Sequence, residues 1–175
     1  MRRLLVCLTL ASIGMFATAA FAGAAVTPKG KSTTIRVYGV DVAGSMSFTT
    51  AAGKPVGENA TPAPGDQLED ATNLYHGSNT HHAKSSFATV WQHCVVISVS
   101  QTALPANCSI AVAIGGSMII SQSVQNFASN SSTLVFPVTT GTGVYNGATG
   151  RIVVVNLGNP SNSTTSNATI QVTTP

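Results

Sequence analysis

Charge is what this sequence has least of. Of its 175 residues, 7% are Asp, Glu, Lys or Arg, against 43% hydrophobic. Every acidic side chain (Asp41, Glu58, Asp66, Glu69 and Asp70) lies before Ala71. Aromatics are equally thin at 6%, with a single tryptophan, and no basic stripe runs among them. That excludes the electrostatic footprint of a nucleic-acid-binding protein. No segment shows a convincing helical period, and no repeat of about 20–50 residues is visible, so bundles and solenoids are disfavoured. With so little charge, the surface must be carried by Ser, Thr, Asn and Gln, which suits an extracellular β-protein.

Cysteine is scarce as well. One of the three, Cys7, lies in a leader with Arg2 and Arg3 at its head, an uncharged apolar run over 4–16, and Ala20-Phe21-Ala22 as a small-x-small cleavage site. This is the layout of a secretory signal, so residues 1–22 are expected to be removed and the protein to be secreted. The apolar run is short for a membrane span of about 20 residues, so no membrane association is expected once the signal is gone. What remains, roughly 150 residues, fits one domain able to bury a core without a metal or many disulfides. Residues 23–32 read as a flexible lead and 33–175 as the single domain. Cys94 and Cys108 are left in an oxidising compartment, where a pair is usually bridged; two free buried thiols are the alternative.

What is present is β-pattern. Strands are expected over about 33–42, 67–75, 87–100, 108–114, 117–125, 133–138, 151–157 and 168–173. Turn residues punctuate them at 51–64, 77–82, 101–107, Gly115-Gly116, 128–132, 140–150 and 158–166. In the 87–100 run, Phe87, Thr89, Trp91, His93, Val95, Ile97 and Val99 face one way. Ala88, Val90, Gln92, Cys94, Val96 and Ser98 face the other. About eight strands at this spacing predict an all-β barrel or sandwich.

Three segments carry a family likeness. Val37-Tyr38-Gly39-Val40-Asp41-Val42 resembles the opening strand of dirigent proteins, with an aromatic a few residues before an Asp. Pro64-Gly65-Asp66-Gln67-Leu68, running on to Leu74-Tyr75-His76-Gly77, is similar to a strand of both dirigent proteins and allene oxide cyclases. Cys94-Val95-Val96-Ile97 is similar to the next strand of the cyclases. The stretch from Phe136 through Thr140-Gly141-Thr142-Gly143-Val144-Tyr145 to Ala148-Thr149-Gly150 resembles the Gly-rich signature of that superfamily. Its glycines supply turn conformations, and Tyr145 an aromatic that packs the turn. A phosphate cradle would need a following helix, whereas Ile152-Val153-Val154-Val155 is a strand pattern. The resemblance spans 34–155 and implies an antiparallel barrel of about eight strands.

It also implies an apolar lumen that fixes the shape of a small apolar or aromatic molecule, with cyclisation or coupling steered inside it. If the chain is an enzyme, the likeness points to cyclase-like or dirigent-type stereocontrol rather than hydrolysis, with no cofactor. The competing reading is a non-catalytic extracellular structural or interaction module, its lumen plugged by large side chains.

The transfer of individual residues is partial. Asp41 matches the first-strand acid of dirigent proteins and is the candidate catalytic carboxyl. Pointing into a barrel, its pKa would rise through desolvation. Tyr38, Asp41 and Asp66 are the candidate ligand-binding residues. Val40 stands where dirigent proteins often have His, Thr149 where many have Arg, and Gly39 where the cyclases have Glu. Those departures argue against the plant substrates. Cys94 matches a lumen cysteine of the cyclases.

Asp66, Glu69 and Asp70 are expected to form a solvated rim. His76, His81 and His82 cluster in sequence, but adjacent histidines on an extended chain point opposite ways, so no metal is expected. Asn59, Asn107, Asn130, Asn162 and Asn167 stand in Asn-x-Ser/Thr sequons. With Cys94 inward, the Trp91 face points outward and needs a cover. Both families commonly form trimers, so a homo-oligomer is expected.

Overall fold

The computed structural model describes residues 30–56, 60–127, 132–157 and 164–175. The expected signal, most of the lead, and the sequons at Asn59, Asn130 and Asn162 lie outside the described residues. Eight long strands make the fold: β1 (Lys31–Asp41), β3 (Gln67–Ser78), β5 (Ala88–Val96), β6 (Pro105–Ile114), β7 (Ser117–Asn126), β8 (Thr133–Gly141), β9 (Thr149–Asn156) and β10 (Thr165–Thr174). Two short ones, β2 (Ser47–Thr49) and β4 (His81–His82), pair only with β3. All pairings are antiparallel. A meander runs from β3 through β5 to β10, and β1 closes it by pairing with both β10 and β3. Full closure leaves the eight strands without a free edge.

Parity along each strand decides what faces inward. Val37, Leu74, Ala88, Cys94, Cys108, Ile110, Val112, Ile119, Phe136, Ile152, Ile170 and Val172 form one buried cluster inside the barrel. The Trp91 indole points out and is 51% exposed. The two faces expected for the 87–100 run are therefore those observed, with Cys94 inward.

That run ends earlier than its β-branched composition suggests. The strand stops at Val96, and 97–104 turn instead: Ser100 N–H donates to the Ala103 carbonyl at 2.9 Å, while Ser100 Oγ accepts from Ala103 N at 3.0 Å. Pro105 then opens β6, a position where its missing N–H costs least. Two expected loops are also partly strand. Gly77 and Ser78 pair with His82 and His81, and Lys31 and Ser32 of the expected lead pair with Thr174 and Thr173.

Cys94 and Cys108 are cross-strand partners, Cα atoms 4.0 Å apart, and form a disulfide. The Gly-rich signature closes one end of the barrel. Its 3₁₀ turn, Gly143–Tyr145, packs Tyr145 against the core, and Ala148 is buried. Gly143 has φ +57°, and a Cβ there would run into Ser117 Oγ, whose hydroxyl accepts from Val144 N at 3.2 Å. Gly150 has φ +142°, and a Cβ would collide with the Gln171 carbonyl. Both positions demand glycine, which is why the signature is dense in it.

Candidate functional site

The opposite end is open. Asp41 ends β1, Asn126 ends β7, Asn156 ends β9 and Thr165 begins β10, and antiparallel order brings all four to this mouth. Behind them lies a cavity of about 380 Å³. Its walls are apolar: Val37, Leu74, Val112, Phe136, Ile152 and Ile170 among others. Among the described residues, polar side chains reach it in a band that includes Asp41, Asp70, Thr72 and Gln92, and at the mouth itself. A concave apolar space with a few polar groups is the usual anatomy of a small-molecule site.

Asp41 lines this cavity. Thr72, its register partner on β3, donates from Oγ1 to Asp41 Oδ1 at 3.0 Å. The Asp41 carboxyl is held above the usual Asp value, first by desolvation and then by the charge of Asp70, with the Thr72 bond opposing both. Asp70 sits two residues before Thr72 and so on the same face of β3. Ser45 Oγ donates to Asp70 Oδ1 at 2.7 Å and also accepts from Ala71 N at 3.1 Å, pinning the segment after β1 against β3. Gln92 Nε2 lies 3.2 Å from Cys94 Sγ, so the disulfide helps to orient a cavity-lining amide.

The other two candidates are elsewhere. Tyr38 is an odd number of residues from Asp41, which puts it on the outside. There its ring meets those of His82, at 4.5 Å between centroids, and Tyr75, at 6.4 Å. Asp66 is buried, not part of a solvated rim. It sits in the turn before β3, and its Oδ2 accepts from Ala63 N at 2.8 Å, so strand parity does not apply to it. The acidic trio is thus split three ways: Asp66 caps a turn, Glu69 is exposed, and Asp70 lines the lumen. Asp70 escaped sequence reasoning, although its alternation with Leu68, Thr72 and Leu74 was the available signal. The histidines are likewise separated. His76 stacks on Phe87 at 3.7 Å, His82 lies against Tyr38, and among the described residues no group of three His, Cys, Asp or Glu is placed to hold a metal.

No protein-family model and no curated protein matches the chain. Solved structures do. A pterocarpan synthase dirigent protein superposes with a TM-score of 0.63 at 15% identity, over 84% of this chain and 87% of its own. A pyocyanin demethylase gives 0.59 at 14%, over 79% of this chain and 99% of its own. An exo-specific intermolecular Diels–Alderase gives 0.58 at 14%, over 82% and 99%. At these identities the likeness concerns the fold, and this chain has the closed antiparallel barrel found in dirigent proteins and in cyclase barrels.

Proposed function

We propose that the protein is a secreted barrel that binds a small apolar or aromatic molecule in its lumen and steers the ring closure or coupling of that molecule. The observation that carries this reading is the open apolar cavity with Asp41 on its wall and a pKa raised by its surroundings. The cavity of about 380 Å³ favours this reading over a purely structural module, whose lumen would be plugged by large side chains. Fixing a flexible molecule in a reactive shape supplies most of what an intramolecular reaction needs. The Asp41 carboxyl, its proton-bound form favoured by desolvation and by the charge of Asp70, can take a proton from the attacking group and pass it to an electron-rich atom of the ligand. Ring closure by this route is an isomerisation: one bond forms, one π-bond is consumed, and the proton only changes place. The dirigent and Diels–Alderase neighbours direct chemistry of a related kind by their names, which supports the class but not a substrate. Secretion rests on the leader pattern and fits the disulfide. A homo-oligomer covering the Trp91 face belongs to the same reading.

The test is chromatography and mass spectrometry of small molecules released when the secreted protein is denatured. An Ala168→Trp variant, which fills the cavity from β10, serves as control once its melting shows that it folds. Molecules released from the parent and missing from the variant are expected. Release of the same set from both, or of none from either, would overturn the lumen reading.

A further inference from the structure

The lumen has a sign. Among the described residues its lining includes two carboxyl groups and several neutral polar side chains, but no Lys, Arg or His. The nearby cations cannot offset this. Arg36 and Arg151 occupy outward positions, next to the inward Val37 and Ile152, and Arg151 Nε is engaged with Gln171 Oε1 at 2.7 Å. Among the described residues, the polar hydrogen-bond partners of the two lumen carboxyls are hydroxyls, Thr72 for Asp41 and Ser45 for Asp70. A hydroxyl satisfies one lone pair of a carboxylate and leaves its charge uncompensated. In the half-buried, apolar-walled mouth such a charge is screened less than on a fully exposed surface, so it acts on whatever enters.

We infer that the lumen selects ligands whose apolar body carries a protonated amine, the ammonium seated on Asp70 beside Asp41 and the body packed among Val37, Val112, Phe136 and Ile152. This rests on the lumen reading above and narrows its substrate class. A ligand carboxylate would meet two carboxyl groups and no cation, so acids are disfavoured. A neutral alcohol could hydrogen-bond to either Asp but would gain no charge pairing. Desolvation and mutual repulsion already raise the Asp41 pKa, and an ammonium placed between the two groups relieves both at once.

Three probes with one apolar body separate the possibilities: 2-naphthylmethylamine, 2-naphthylmethanol and 2-naphthoic acid, titrated into the purified secreted protein by calorimetry at pH 7. The amine is expected to bind at least about tenfold more tightly than the alcohol, a difference of about 1.4 kcal/mol, and the acid most weakly. Asp70→Asn, with melting checked, should bring amine and alcohol to parity while leaving alcohol binding intact. If the alcohol binds as tightly as the amine, or the acid binds best, the charge selection is wrong while the lumen stands. If the amine's advantage persists in Asp70→Asn, its seat is elsewhere and the inference fails. If none of the three binds, the lumen reading fails with it.

Discussion

Asp41 shows how much one side chain's surroundings decide. Its carboxyl is half-buried, faces a second acid and keeps one hydroxyl donor, so its pKa lies above the usual Asp value of 3.8. For an acid the sign follows from proton binding. Between the unfolded and the raised folded pKa, the folded state holds the proton and the unfolded state has lost it, so stability falls as pH rises through that window. Above the window the cost is fully present; below 3.8 it is absent. Asp41→Asn, whose amide oxygen can still accept from Thr72, is therefore expected to melt higher than the parent at pH 7. The gap should close as pH falls through the window and vanish below it. Melting curves from pH 3 to 8 check this; a variant that melts lower at every pH would show that the carboxylate is stabilising. Ligand conversion by the same variant should fall, because only a group used in the reaction is lost.

At the scale of elements, the β5–β6 pair is held by more than its ladder. Cys94 and Cys108 face each other from the lumen side and join the two strands covalently. The cross-link closes a short loop, for which the chain-entropy account gives about 3 kcal/mol. Replacing both cysteines by Ala is expected to cost about 2–4 kcal/mol in denaturant unfolding and to loosen Gln92, whose amide rests on the sulfur. Peptide mapping without reductant should recover the two residues as one linked species from secreted protein. Recovery of free thiols, or an unchanged unfolding midpoint in the variant, would refute this. The period of two had already separated the Cys94 face from the Trp91 face. What it could not show is where pairing stops, because Ser98 and Ser100 extend the alternation while the Ser100–Ala103 turn ends the strand.

At the scale of the whole molecule, the outer face of β5 points to association. The outer face of β5 exposes Trp91 beside a shallow groove formed with Glu69, Ala71, His93, Ser109 and Ala111, and Ile97 is also 50% exposed. An apolar face of this kind calls for a cover, and a symmetric homo-oligomer would supply it. Light scattering at micromolar concentration is expected to give a multiple of the monomer mass, and Trp91→Lys to give the monomer with its melting little changed. A monomeric parent would refute it.

The sequence by itself determined the all-β class, the approximate strands and the separation of the Cys94 face from the Trp91 face, because a period of two and turn-forming glycines are local properties of a chain; that the Cys94 face is the inner one came with the family likeness and is what the barrel shows. It also marked the turn-dense, Gly-rich loop at 140–150. Only the tertiary structure decided that Tyr38 belongs to an outer aromatic cluster, that Asp66 caps a turn and that Asp70 joins Asp41 at the mouth. These depend on register between strands distant in sequence, such as Asp41 opposite Thr72, and on whether a residue sits in the ladder or just before it. A barrel wall is built from pairings across the chain, so the side chains that share its lumen are neighbours only after it closes.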